Sequence, residues 1–377
     1  LTRSLFPEAD DAVLSYINDD GTMVEPEYYV PIIPFALING ISGIGTGFSC
    51  SIPAFSPTQI IDYLRFKLRG NDVKAAGEFA PYYEGFKGTV SLLSENKYLV
   101  RGVYEKIGDD KIRITELPIG AWTMPYTSFL EGLMDGRTDK SGKKVAPSIR
   151  DFTSICTEVS VDITVVLPRG KLSELESSTD PVTGINGIEK LFKISTTVST
   201  TNMHMFNRDC KLHKYGSVEE IIEEFYDVRI AMYAKRKAYL IDALQKKLIK
   251  LSNRAKYILA TLNGTVDLRK KKSQEVTDLL TTNGFVTIDG DFKYLIKMPM
   301  DSVTEENVER ILKEKGDAES ELDTLKKTKL ETMWLSELNT LHKEYSVYKQ
   351  KREKIQLGSH QQKSAAKKKV VKRTVKK

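Results

Sequence analysis

Apolar positions change period along the chain, and each change predicts a different architecture. The opening carries acids at Glu8, Asp10, Asp11, Asp19 and Asp20, then runs into PEYYVPIIPFALING with no start signal before Leu1, so it reads as a piece of something longer. Thr58 to Arg69 predicts a short amphipathic helix with Ile60, Ile61 and Leu64 on one side and Arg65, Lys67 and Arg69 mostly on the other. From Gly88 the period falls to two. GTVSLLS, KYLVRGVYEKI, a Gly108-Asp109-Asp110 turn and KIRITEL predict antiparallel strands, and a helix is expected after Trp122. Ile155, Val159, Val161, Ile163 and Val165 alternate with polar partners as one half-buried strand would. The middle of the chain is therefore an α+β unit.

At Ser217 the pattern becomes helical. Ser217 and Glu220 form a capping-box pair, and Val218, Ile221, Ile222, Phe225, Leu240, Leu244 and Leu248 follow at helical spacing. One helix over 217–262 would be on the order of 70 Å long, more than a globular core needs. A second helix is expected from Ser302, with Glu305 as its box partner and Val308, Ile311, Ala318, Leu322 and Leu325 at a and d positions, Lys315 being the exception among them. Two long helices around a small unit at 263–301 predict an antiparallel stalk carrying a tip. The expected fold class is α+β: a mixed α/β unit followed by a long antiparallel coiled-coil stalk and a small dimerisation tip.

Length and a hydrophobic content of 40% support a buried core in two or three structural units. The net charge of +6 is misleading until it is located. Of the 57 Lys and Arg, nine fall from Lys354 onward with no acid among them, leaving 48 basic against 51 acidic residues in the rest. A nucleic-acid site in the body must then be a local patch. The tail KKKVVKRTVKK reads as a separate disordered arm, equally a solvated end or a non-specific phosphate attractor and import signal. Cys50, Cys156 and Cys210 lie far apart without a CxxC pair, which indicates neither a zinc site nor a disulfide framework and points to a reducing compartment. No basic-then-apolar leader opens the chain, and its most apolar stretch, Tyr28 to Ile41, is interrupted by Pro31 and Pro34, against a membrane span.

The densest chemical signal is NGISGIGTGFSCSIP, from Asn39 to Pro53. Its glycines at 40, 43, 45 and 47 would suit a phosphate loop, yet the Gly-Lys-Ser/Thr ending is missing and a proline follows instead of a helix. A dinucleotide site lacks its βαβ setting. On these grounds a tight hairpin whose glycines serve packing is the plainer reading. Asp289-Gly290-Asp291 has the spacing of a metal-binding pair but sits between TI and FKYL, where a hairpin turn is the commoner use. Tyr16, Tyr28 and Tyr29 read as packing residues, since nothing nearby would activate them.

VEPEYYVPIIPFALINGISGIGTGFSCSIP resembles the type IIA DNA topoisomerases, specifically the eukaryotic-type topoisomerase II, in the segment that follows the catalytic tyrosine. The likeness continues through ITELPIGAWT, LFKISTTVSTTNMHMF, KYGSVEEIIEEFYDVRIAMYAKRK, YLIKMPMDSVTEENVERIL and ELDTLKKTKLETMW, in the family's order up to about Leu341. It implies that residues 1–40 end a winged-helix region, 41–215 form the tower or shoulder that cradles DNA, 216–262 and 302–329 are the coiled-coil helices, 263–301 is the dimer-gate tip, 330–353 is a terminal helix and 354–377 is the tail. Family members attack a DNA phosphate with a tyrosine that follows an arginine. This chain has no Arg-Tyr dipeptide, so the nucleophile is expected before Leu1, and the ATPase and acidic magnesium site are expected elsewhere too.

Two DNA contacts follow from the resemblance. Ile44, flanked by Gly43 and Gly45, matches the family's wedge, an apolar side chain pushed between base pairs; its plainer reading is a core isoleucine. Lys193, Ser195, Thr196, Thr197, Ser199, Thr200, Thr201 and Asn202 match a phosphate-contacting segment whose plainer reading is an edge strand. At the gate, Tyr294, Leu295, Ile296, Met298 and Met300 are expected to form an apolar cluster too large to stay exposed. The implied partners are double-stranded DNA, a second copy of the chain, and the ATPase, metal-binding and tyrosine-bearing regions of the same enzyme, with no membrane. No catalytic residue, metal or cofactor is expected in this stretch, while ATP and Mg2+ would serve the complete enzyme. The expected location is the nucleus, or a viral replication site for a viral member, which the short tip and tail would suit. Two other readings stay open: a self-standing dimeric coiled-coil scaffold that binds DNA through its tail, and a nucleotide-binding enzyme built on the 40–47 glycines.

Overall fold

The computed structural model describes residues 1–138, 144–157, 160–269, 271–288, 290–299 and 303–374, with the backbone alone at 137–138, 144–145 and beyond 355. The chain divides into two units: Leu1–Leu5 with Pro31–Asp227 and Leu338–Lys377, and Phe6–Val30 with Val228–Glu337.

In the first unit the helix Pro57–Leu68 opens with proline in its first turn, where a missing N–H costs nothing. It buries Ile60, Ile61 and Leu64 and turns Arg65 toward Asp62 and Lys67 toward Glu223. The period-two stretch folds into two sheets. One has three strands in the order Ser195–Ser199, Lys97–Arg101, Thr89–Ser94; the other has four, Asp151–Ser154, Ile163–Val166, Lys111–Glu116, Val103–Gly108. The single strand expected across Ile155–Val165 is instead a hairpin. Asp151–Ser154 pairs antiparallel with Ile163–Val166, and Thr157 and Ser160 exchange backbone bonds in the connection. Alternating polarity had run across both strands and their turn. A core of Ile112, Ile114, Leu130, Ile163, Val165 and Phe192 fills the space between the four-stranded sheet and the helices Thr123–Met134 and Gly187–Leu191. Asn186 and Glu189 cap the last of these with a full capping box.

The helix Val218–Leu262 spans 45 residues, about 70 Å at 1.5 Å per residue. Its Ser217 hydroxyl accepts from the Glu220 N–H, while the Glu220 carboxylate accepts from Gly216 N–H and pairs with His213 at 3.0 Å. Within the second unit, Leu251, Ala255 and Ile258 of this helix pack against Val308 and Ile311 of the helix Glu305–Lys327, so the two run antiparallel. The second helix starts later than the Ser302/Glu305 box predicts, because Thr304 is its cap and accepts from Asn307 N–H; Ser302 lies outside the described residues. A charged cluster is buried on the long helix. Arg229 meets Asp10 at 2.7 Å, Arg236 meets Glu337 at 2.6 Å and Asp10 at 3.2 Å, and both guanidinium groups lie over the Tyr233 ring.

Three expectations are corrected. FKYL is no strand: Lys293–Ile296 is a short helix beyond the Ile288–Asp291 bridge, with Asp291 paired to Lys293; Asp289 lies outside the described residues. Tyr16, Tyr28 and Tyr29 are exposed, not packing residues, because the hairpin Tyr16–Asp19/Thr22–Pro26 and the loop after it carry them on the surface. The stretch 354–374, expected to be disordered, continues the helix Leu330–Thr374, consistent with its Lys, Gln and Ala content and lack of proline.

Candidate nucleic-acid interface

The glycine-rich segment folds as the antiparallel hairpin Ile41–Gly45/Phe48–Ile52, with Ile44 opposite Ser49 and Gly43 opposite Cys50. This disposes of the nucleotide-loop reading, since the glycines sit in a ladder and no helix N-terminus follows them. Gly47 holds φ at +83°, a conformation costly for other residues, and a Cβ on Gly45 would stand 2.5 Å from the Phe48 ring. Strand alternation sorts the hairpin into two faces. Cys50 and Ile52 point inward and are buried, and burial pushes the Cys50 thiol pKa up. Ser42, Ile44, Ser49 and Ser51 point outward. Ile44 is 94% exposed, so it is not a core isoleucine.

Lys193 adopts φ +50° and places its ammonium 4.6 Å from the centre of the Phe129 ring. Ser195–Ser199 is an edge strand on Lys97–Arg101; Ser195, Thr197 and Ser199 share one face, and Thr196 lies on the other with Val198. The hydroxyls of Ser199 and Thr201 sit 2.9 Å apart on the exposed surface. Thr200 is a correction. It is buried, and both its N–H and its hydroxyl donate to Asn96, so it anchors the segment and has no face for a phosphate.

Asn202 joins the two predicted features. Its Nδ2 donates to Ser49 Oγ at 2.9 Å, and its carbonyl accepts from Ser51 N–H at 2.8 Å. Beyond it, His204–Phe206 pairs with Leu212–Lys214, and the Phe206 ring stands edge-on to Phe48 at 5.8 Å. This brings exposed Lys211 and Lys214 onto the hairpin next to the glycine hairpin. Sequence reasoning missed them, along with Ser42, Ser49, Ser51 and His204; the polar–apolar alternation of FSCSI carried the signal for the serines.

The tip has its own core of Tyr257, Val266, Val276, Leu280, Phe285, Phe292 and Leu295. Leu295 is fully buried there, and the Tyr294 hydroxyl donates to the Val286 carbonyl at 2.6 Å. The expected exposed cluster is corrected accordingly: Leu295 belongs to the tip's interior, Met298 is half-buried, and Ile296 is the member left 44% exposed. Met300 lies outside the described residues.

The family model of the DNA gyrase/topoisomerase IV A-subunit matches residues 1–339. The chain belongs to this family. The topoisomerase chain is 33% identical over 386 residues to DNA topoisomerase 2 of Arabidopsis thaliana, covering 91% of this chain and 25% of the relative. It is 33% identical over 372 residues to DNA topoisomerase 2 of Plasmodium falciparum, and 32% over 393 residues to mouse DNA topoisomerase 2-beta, with 89% and 95% of this chain and 25% and 23% of the relatives covered. It superposes with a TM-score of 0.82 and 33% identity on the crystal structure of the Plasmodium falciparum topoisomerase II DNA-binding, cleavage and re-ligation domain, covering 93% of this chain and 49% of that one. The chain thus spans about a quarter of the curated relatives it matches.

Proposed function

We propose that this chain is the DNA-bending and dimer-gate portion of an ATP-dependent type II DNA topoisomerase, which passes one duplex through a transient double-strand break in another. Ile44 carries the reading: an aliphatic side chain 94% exposed on a supported hairpin is an unfavourable surface residue unless something apolar receives it, and a base step opened in a bent duplex would. Ser195, Thr197, Ser199, Thr201 and Lys193 supply donors for phosphate oxygens, which would hold the duplex without reading its sequence. The helices Val218–Leu262 and Glu305–Lys327 serve as a coiled-coil stalk. The tip, with Ile296 outward, serves as the gate between two copies.

Among the described residues no three His, Cys, Asp or Glu side chains converge to hold a metal ion, so this chain does not fit the magnesium site, which is assigned with the ATPase and the tyrosine nucleophile to other regions of the enzyme. No helix described is long and apolar enough to cross a membrane. The enzyme would work in the nucleus, or at a replication site if viral. Deleting Lys354–Lys377 tests the reading against a scaffold that binds DNA only through its tail. The gate fragment keeps a weak, salt-sensitive duplex affinity; complete loss of binding would favour the scaffold.

A further inference from the structure

We infer that Asn202, through Ser49 and with His204 behind it, is the positioning residue that holds the Ile44 hairpin against the load of an opened base step, and is not itself a phosphate contact. The inference rests on the reading of Ile44 as a wedge. An exposed wedge makes no contacts that could hold it, and opening a step costs a few kcal/mol that its support must resist. A two-stranded hairpin alone is a marginal support. The stiffness must come from what is fastened to it.

The fastening is visible atom by atom. Ser49 is the residue directly opposite Ile44 in the ladder, and its Oγ accepts from Asn202 Nδ2–H at 2.9 Å. Ser51, two residues on, donates its N–H to the Asn202 carbonyl at 2.8 Å. Between them the Cys50 thiol meets the His204 backbone. The amide oxygen of Asn202 is taken as well, 2.7 Å from His204 Nδ1; an amide oxygen can only accept, so His204 carries its proton on Nδ1 in this contact. Both ends of the Asn202 amide and its carbonyl are therefore committed within the protein. Two residues earlier, Thr200 is anchored inward on Asn96, at the turn into the Lys97–Arg101 strand. A continuous path runs from the three-stranded sheet through Asn96, Thr200 and Asn202 to Ser49, under the wedge.

The test uses the protein that carries this chain, with Ile44→Ala, Asn202→Ala, Ser49→Ala, Ser49→Thr and the double variant Ile44→Ala/Asn202→Ala. Fluorescence transfer across a short end-labelled duplex reads the bend at saturating protein, titration reads affinity, and hydrogen exchange of the free protein reads the Ser49 and Ser51 amides. Asn202→Ala should lower the bent-to-straight ratio about tenfold, the effect of losing hydrogen bonds of ordinary strength, with affinity changed less than about twofold. Ser49→Ala should do part of this and Ser49→Thr, which keeps the hydroxyl, should not. The two hairpin amides should exchange faster in Asn202→Ala, and the double variant should bend no less than Ile44→Ala. Losses that multiply in the double variant, or a fall in affinity and salt slope with bending retained, would make Asn202 an independent phosphate contact and overturn the inference. If Ile44→Ala leaves bending intact, the wedge reading fails first. Unchanged exchange at Ser49 and Ser51 in Asn202→Ala refutes the support role by itself.

Discussion

Replacing Ile44 with alanine in the enzyme separates bending DNA from holding it. The side chain is 94% exposed and touches no core, so folding stability should stay within about 0.5 kcal/mol of the parent, as for surface substitutions generally. Gly45 and Gly47 keep the turn, because the geometry they permit does not involve the Ile44 side chain. The effect falls on the bent complex alone. Truncation removes three carbons, at about 0.8 kcal/mol each when buried, so a wedge buried fully between bases loses roughly 2.4 kcal/mol, or about 50-fold in the bent-to-straight ratio. Partial burial scales this down. Fluorescence transfer between dyes at the ends of a short duplex reads the bend, and cleavage should fall with it, while weak duplex binding and its salt slope, set by phosphate contacts, change far less. A bend unchanged in Ile44→Ala, or affinity and bend falling together in proportion, would refute the wedge.

Other outcomes follow from the same structure. At the tip, Ile296→Asp should give monomers in sedimentation with the fold intact, whereas Leu295→Asp, placing a charge at a fully buried site, should unfold the tip; a persistent dimer in Ile296→Asp would refute the gate assignment. Arg229→Ala leaves Asp10 buried with one fewer partner and should cost about 3–5 kcal/mol in urea unfolding; a loss below about 1 kcal/mol would show the cluster to be wet. The chain alone should not cleave or relax supercoiled DNA at any magnesium or ATP concentration, and tyrosine-linked DNA formed by it would overturn the assignment of the nucleophile to another region.

What the sequence determined by itself were the features that local periodicity and backbone chemistry dictate: the helix at Pro57–Leu68, the strands around Lys97–Glu116, the 45-residue helix from Val218, and a turn at the 40–47 glycines. It also carried the family resemblance, because Ile44 and its glycines are contiguous. Tertiary structure decided the rest. Periodicity could not see that Ile155–Val165 spans a connection, since alternation continues across a turn when both flanking strands bury the same kind of face. Nor could composition distinguish Leu295, sealed in the tip, from its exposed neighbour Ile296, because burial depends on what other segments bring to the helix. Thr200 and Asn202 looked like their neighbours in a run of hydroxyls and amides. Only their long-range partners, Asn96 and Ser49, turn one into an anchor and the other into a strut, and a hydrogen bond between residues that far apart in sequence exists only once the fold has brought them together.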